Sequence, residues 1–288
     1  MRAIVSKGAK TASEVVDFTP LAAGAGEVVI DVRAIGVGRV DLIMQQVMPT
    51  DFVPGIEAAG IVTAVGADVD QQWIGRRVFA RMQTGAYAEE VVASSTALVA
   101  LPDGVTFEAA VASGVNALVA HFCIAKARLT ADETVLVRGA RGGIGHLVVQ
   151  MAKSLGAQVI EGHRDSVPVS ADVVIDLVAG PDTGAYLQQL KANGRYVIAG
   201  ISAGMPPADF AGSMLADFRR SRSLVTLSLD TVEEEVMNGA AAQIFKDVAA
   251  GRTTPVIAQT FAIDQADAAL RLLETGGVVG KFVLVPRA

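Results

Sequence analysis

Short β-branched runs punctuated by glycine, proline and acidic residues fill the first part of the chain. Arg2 to Ser6, Glu27 to Ala34, Gly60 to Val65, Arg77 to Ala80 and Tyr87 to Val92 each read as strands. The second begins apolar at Val28-Val29-Ile30 and then alternates through Asp31-Val32-Arg33-Ala34, as a strand near a barrel edge does. Pro102-Asp103-Gly104 marks a turn, Thr106 opens a helical pattern, and apolar spacing from Ala112 to Ala125 predicts a helix that bridges to a second domain. From Thr134 the period changes. Strands at 134–138, 157–161, 172–177, 195–199 and 223–229 alternate with helices at 144–155, 182–192 and 208–219, which implies a parallel sheet covered by helices on both faces. Thr231-x-x-Glu234 is a capping-box signature and predicts a helix from Glu233 to about Ala250. Beyond Gly251, strand-like runs at Val256 to Phe261 and Phe282 to Val285 flank a helical stretch, Ile263 to Glu274.

One junction in this pattern carries chemistry. The strand Thr134 to Arg138 enters Gly139-Ala140-Arg141-Gly142-Gly143-Ile144-Gly145, and a helix-period segment follows. In the usual G-x-G-x-x-G turn, Ala140 takes the first place and Gly142 and Gly145 the other two. Gly142 lets backbone approach a pyrophosphate, and Gly145 lets helix and strand pack closely. The free N–H groups and positive dipole end of the helix behind them suit phosphate. Strand before and helix after is the context that gives this motif its weight.

Composition narrows the choice of partner. The 288 residues are 51% hydrophobic and 19% charged with a net charge of −6, which fits a well-buried globular protein and counts against nucleic acid. Arg219-Arg220-Ser221-Arg222 is a short basic cluster that reads as a solvated helix end. A single cysteine, Cys123, excludes an intrachain disulfide, and its apolar neighbours point to a buried thiol in a reducing cytoplasm. No signal-peptide pattern is present, and no apolar run approaches the ~18 residues that span a bilayer. The expectation is a cytoplasmic protein that stays off the membrane.

Phrases along nearly the whole chain support a closer reading. Ala34-Ile35-Gly36-Val37 with Asp41, Pro54-Gly55-Ile56-Glu57-Ala58-Ala59-Gly60, Gly85-Ala86-Tyr87-Ala88-Glu89 and Ala117-Leu118-Val119-Ala120 precede the glycine turn. Asp172-Val173-Val174-Ile175-Asp176, Gly194-Arg195-Tyr196-Val197 and Gly280-Lys281-Phe282-Val283-Leu284 follow it. Together they resemble the medium-chain dehydrogenase/reductases, in the zinc-independent quinone oxidoreductase and enoyl reductase branch. The resemblance implies an α/β protein in two parts. Residues 1–113 and 254–288 form a GroES-like, partly open β-barrel, residues 114–253 form a Rossmann doubly wound parallel sheet, and the active cleft lies where they meet.

Zinc-dependent relatives carry a cysteine three residues before the aspartate that matches Asp41, and a histidine in Gly-His-Glu. Those places hold Gly38 and Ile56 here, so no metal site is expected. Cofactor choice falls at the end of the second Rossmann strand, where this chain has His163 and Arg164. Arg164 can pair with a 2′-phosphate, which favours NADPH, with NADH as the alternative; the pair Arg164 and Asp165 reads equally as a solvated turn. The resemblance adds Gly200, Ile201 and Lys281 to the expected cofactor contacts. Between Asp165 and Asp172 relatives carry a helix and a third strand, for which this chain has only a short connection. A five-stranded parallel core with weaker cofactor binding is therefore expected.

The pocket candidates are Gly38, Asp41, Ile43, Ile56, Asn116 and Val119, an apolar set suited to a hydrophobic substrate. Relatives place Asn at the position of Gly38, Tyr at that of Ile43 and Thr at that of Val119; Asn116 either restores an amide contact or simply caps or packs. Tyr87 reads as structural, and no general acid stands out. Without metal to stabilise an alkoxide, hydride delivery to a quinone or α,β-unsaturated carbonyl is favoured over alcohol oxidation. The alternatives are an enoyl-thioester reductase of a biosynthetic pathway and an NADP-binding protein with little catalysis. Homodimerisation is expected through the edge strand Ser223 to Leu229.

Overall fold

In the computed structural model, which describes residues 1–9, 11–48, 51–162 and 169–286, the short apolar runs become strands and the longer periodic ones helices. The N-terminal segment forms β1 (Arg2–Val5), β2 (Glu14–Asp17), β3 (Glu27–Val37), α1 (Arg39–Val47), β4 (Glu57–Val65), β5 (Arg77–Arg81), β6 (Glu90–Ser94) and β7 (Leu98–Ala100), followed by α2 (Phe107–Ala127). The alternating segment forms β8 (Thr134–Arg138), α3 (Gly145–Leu155), β9 (Gln158–Gly162), β10 (Ala171–Asp176), α4 (Thr183–Gln188), β11 (Leu190–Ile198), α5 (Gly212–Ala216) and β12 (Ser223–Thr226). The tail adds α6 (Glu234–Ala249), β13 (Ile257–Ala262), α7 (Ala266–Thr275) and β14 (Lys281–Val285). Two compact units result: Met1–Val115 with Glu233–Ala288, and Asn116–Val232.

In the first unit, β3 is the strand on which the sheet is built. One of its edges pairs with β4 along most of its length, while the other pairs with β6 over Glu27 to Asp31 and with β14 over Ile35 to Val37. Register shifts between Val29 and Ile30 and between Val32 and Ala34 supply the bend that lets one edge serve two partners. The order is β13-β14-β3-β4-β5-β7 with β6 on β3, so both chain ends contribute, as a GroES-like domain requires. Val28, Ile30, Val32 and Ile35 face a core shared with Val62, Val78, Tyr87 and Leu284.

The second unit is a five-stranded parallel sheet in the order β12-β11-β10-β8-β9. This is the shortened Rossmann sheet expected from the sequence. Its inner strands are mostly buried, which is why β8 and β10 read as nearly unbroken β-branched runs. The edge strands β9 and β12 are half exposed.

Several local expectations change. The unit boundary expected at 253/254 falls at 232/233, because α6 packs in the first unit: Phe245 meets Phe79 edge-on at 5.3 Å, and Arg81 pairs with Glu234. Thr231 makes no capping box. Its hydroxyl donates to the Ser228 carbonyl in a 3-10 turn, and Glu233 takes the N-cap without a side-chain bond. The basic cluster is not simply solvated, since Arg222 is buried and donates to the carbonyls of Leu187 and Ser213 while Arg220 holds those of Gln188 and Leu190. The helix at 208–219 shortens to α5 plus a 3-10 turn, and the edge strand ends at Thr226 rather than Leu229. By length and composition α2 passes the test for a membrane-spanning helix, but half of its most apolar window is buried and Ala117, Leu118, Ala120 and Cys123 belong to the core.

Candidate functional site

The glycine turn sits at the carboxyl end of β8, the place where open parallel sheets bind ligands. Gly142 donates to the Gly139 carbonyl at 3.0 Å and closes the turn, and the His146 amide returns to the Gly142 carbonyl at 3.1 Å. The amides of Gly143, Ile144 and Gly145 meet no acceptor among the described residues. A Cβ on Gly145 would stand 2.0 Å from the Gly139 carbonyl oxygen, so only glycine permits this approach of helix to strand. Ala140 and Gly145 are buried, Arg141 is exposed at the tip, and Gly142, Gly143 and Ile144 are half-buried. The result is a row of bare donors at the start of an 11-residue helix, which can hold an anion such as phosphate.

Gly200 and Ile201 follow β11 at the same edge of the sheet. A Cβ on Gly200 would lie 2.5 Å from the Leu177 carbonyl oxygen, while Ile201 is 45% exposed and open to a ligand. His163 and Arg164, the expected discriminators of the 2′-phosphate, lie outside the described residues.

The pocket candidates divide between the units. Gly38 is the N-cap of α1, and its amide donates to Asp41 Oδ2 at 2.8 Å. The Tyr87 hydroxyl donates to the same oxygen at 3.0 Å; both side chains are fully buried, which gives Tyr87 the structural place expected of it. Asp41 Oδ1 has no hydrogen-bond partner among the described residues, and burial pushes the carboxyl up to about 6. Burial and the neighbouring Asp41 raise the Tyr87 phenol, so it remains a donor. Ile43 is exposed on α1 and Ile56 is half-buried ahead of β4. Asn116 is buried and Val119 half-buried on the part of α2 that belongs to the second unit.

Comparison with known proteins fits this geometry. The family model described as "Alcohol dehydrogenase GroES-like domain" matches residues 24–103, and that described as "Zinc-binding dehydrogenase" matches residues 155–284. A quinone oxidoreductase from Pseudomonas syringae superposes with a TM-score of 0.89 at 26% identity, covering 99% of both chains. A mycobacterial protein solved with NADPH superposes with a TM-score of 0.89 at 27% identity, covering 99% of this chain and all of its own. This chain belongs to the medium-chain dehydrogenase/reductase superfamily, in its quinone oxidoreductase-like branch. Among curated relatives, the synaptic vesicle membrane protein VAT-1 homolog of Danio rerio is 26% identical over 90% of this chain, and the spectinabilin polyketide synthase system protein NorB of Streptomyces orinoci is 32% identical over 90% of it. The chain spans 64% of the first relative's length and 13% of the second's.

One pairing in this medium-chain member differs from the sequence expectation. Lys281, expected at the cofactor, is buried in the first unit and pairs with Glu57, itself fully buried. Glu57 Oε2 also accepts from the Val115 amide at 2.9 Å, just past the kink in α2 at Gly114. Cβ atoms on Gly36 or Gly114 would each come within 2.4 Å of the Glu57 carboxylate, so two glycines make room for it. A signal was present: an acid in the apolar run Ile56 to Val62 and a lysine heading the apolar strand Lys281 to Val285 each require an opposite charge once buried. Cys123 is fully buried, and its thiol is pushed up to about 12 by burial, so it packs as a small hydrophobe.

Proposed function

We propose that this chain is a metal-free, NADPH-dependent reductase of quinones or α,β-unsaturated carbonyls. The observation that carries the reading is the set of bare amides at Gly143, Ile144 and Gly145, on a glycine whose Cβ the fold excludes. Those amides hold the pyrophosphate, and Gly200 and Ile201 border the same end of the sheet. The likeness to a mycobacterial protein solved with NADPH supports that cofactor. Zinc does not fit: Gly38 and Ile56 stand where zinc-dependent relatives keep ligands, and no group of three His, Cys, Asp or Glu gathers among the described residues. With its pyrophosphate held on those amides, the cofactor would supply a hydride to an electron-poor centre, and solvent would supply the proton that completes the reduced product. The apolar character of the candidates Ile43, Ile56 and Val119 favours a small hydrophobic acceptor.

The NorB likeness favours a second reading, reduction of a carrier-bound enoyl thioester. Steady-state assays with quinones, enones and acyl thioesters, each with NADPH and NADH, separate the two. Turnover of quinones or enones with preference for NADPH is expected; turnover of thioesters alone selects the second reading, and no turnover beside clear NADPH binding rejects both. The edge strand β12 is proposed to pair with its copy in a homodimer, which light scattering on the eluting protein tests.

A further inference from the structure

Three neighbouring strands of the Rossmann sheet each send a polar side chain into its apolar interior. Arg138 ends β8, Asp176 ends β10 opposite it, and Tyr196 lies on β11. Arg138 Nη1 donates to Asp176 Oδ2 at 2.7 Å, and the Tyr196 hydroxyl donates to the same oxygen at 2.6 Å. The guanidinium carbon lies 3.9 Å from the centroid of the Tyr186 ring. All three side chains are buried. A buried ion pair is often no better for stability than well-packed apolar residues, so its presence here calls for another account.

The remaining bonds of this cluster converge on one loop. Asp176 Oδ1 accepts from the amides of Val178 and Ala179, both at 2.9 Å, and Arg138 Nη2 donates to the Ala179 carbonyl at 3.3 Å. Ala179 is fixed at φ +52°, a left-handed conformation that a Cβ disfavours, and the three bonds hold it there. The loop adjoins the glycine turn, since a Cβ on Gly139 would stand 3.0 Å from Val178 Cγ2. The Val178 carbonyl accepts from the Ala203 amide at 2.9 Å, which ties the loop to the segment after β11.

We propose that Arg138, with Asp176 and Tyr196, is a positioning cluster that preorganises the loop Leu177 to Gly180 as a wall of the nucleotide site and thereby sets cofactor affinity. This rests on the nucleotide reading above. Burial and Asp176 raise the Tyr196 phenol, which keeps its proton and stays a donor. Arginine is the residue whose fork reaches both partners; a lysine ammonium can face Asp176 or the Ala179 carbonyl but not both.

The test is NADPH titration by fluorescence beside thermal melts, on wild type, Arg138→Lys, Tyr196→Phe and Arg138→Lys combined with Ala179→Gly. Loss of one charge-assisted bond to the loop raises the NADPH Kd of Arg138→Lys about tenfold while its melting point stays near wild type. Tyr196→Phe raises it about threefold. Adding Ala179→Gly recovers part of the loss, because glycine accepts φ +52° without the clamp. Wild-type affinity in Arg138→Lys overturns the proposal, as does a loss of affinity that only parallels a loss of melting temperature and is not recovered by glycine. Should Arg138→Lys fail to fold, wild-type affinity in Tyr196→Phe overturns it. Absence of NADPH binding by the wild type overturns the nucleotide reading itself, and that arm is read separately.

Discussion

Asp41 in the barrel unit and Asp176 in the Rossmann unit are both carboxylates with no exposed surface, yet they are bonded in opposite ways. Asp176 receives two backbone amides on one oxygen, and an arginine and a phenol on the other. Among the described residues Asp41 receives neutral donors, Gly38 and Tyr87, both on Oδ2, and its other oxygen has no hydrogen-bond partner. In the barrel the nearby cation, Lys281, is committed to Glu57. The contrast shows where each unit tolerates charge. The Rossmann sheet buries a bonded acid that shapes a loop, whereas the barrel keeps one acid paired and leaves another with its carboxyl raised to about 6.

Removing a cation from this arrangement has the largest expected effect. Lys281→Met leaves the Glu57 carboxylate with the neutral Val115 amide as a donor but without its cation, and loss of one partner of a buried pair costs about 3–5 kcal/mol. Urea unfolding should show this, with much of it regained in Glu57→Gln/Lys281→Met; a wild-type midpoint for Lys281→Met would mean that the pair does not hold the barrel.

Next is the turn. Gly145→Ala forces a methyl against the Gly139 carbonyl at 2.0 Å, with overpacking strain of about 1–3 kcal/mol. The melt should fall accordingly and NADPH affinity should drop at least tenfold by titration, since the shift moves the amides that face phosphate. Unchanged affinity would place the phosphates elsewhere.

Tyr87→Phe sharpens the barrel side of the comparison. It leaves Asp41 Oδ2 with Gly38 alone and costs about 1–3 kcal/mol where the carboxyl is ionised. Chemical denaturation at pH 8 and pH 5 should show a larger loss at pH 8, because the lost donor favoured the charged form.

The pH profile of Asp41→Asn reads the same carboxyl directly. A carboxyl raised from 3.8 to about 6 on folding contributes stability that is complete below its unfolded value and is lost as pH rises through 6. Wild type should therefore lose stability between about pH 4 and 7 relative to Asp41→Asn, and parallel melting curves across that window would show that Asp41 does not titrate there.

Much of this was legible in the chain because it is local. The alternation after Thr134, the glycine turn and the short connection before Asp172 depend on residues close together in sequence, and β8 matches its expected span, 134–138. The polar clusters were not legible, because Arg138, Asp176 and Tyr196 meet only once three strands are in register. The motif of Lys281 points to the cofactor, whereas its ion pair with Glu57, 224 residues away, is not readable locally. Thr231 is not the cap for a local reason: it lies in the 3-10 turn before the helix, where its hydroxyl donates to the Ser228 carbonyl, and Glu233 takes the N-cap.

The amides themselves give the most direct test. In a 15N–1H correlation spectrum of the folded chain, addition of NADPH should shift the signals of Gly143, Ile144 and Gly145 more than those of the barrel unit, in a saturable one-site manner. If those three signals stay in place while NADPH is bound, the nucleotide does not rest on the glycine turn and the account fails.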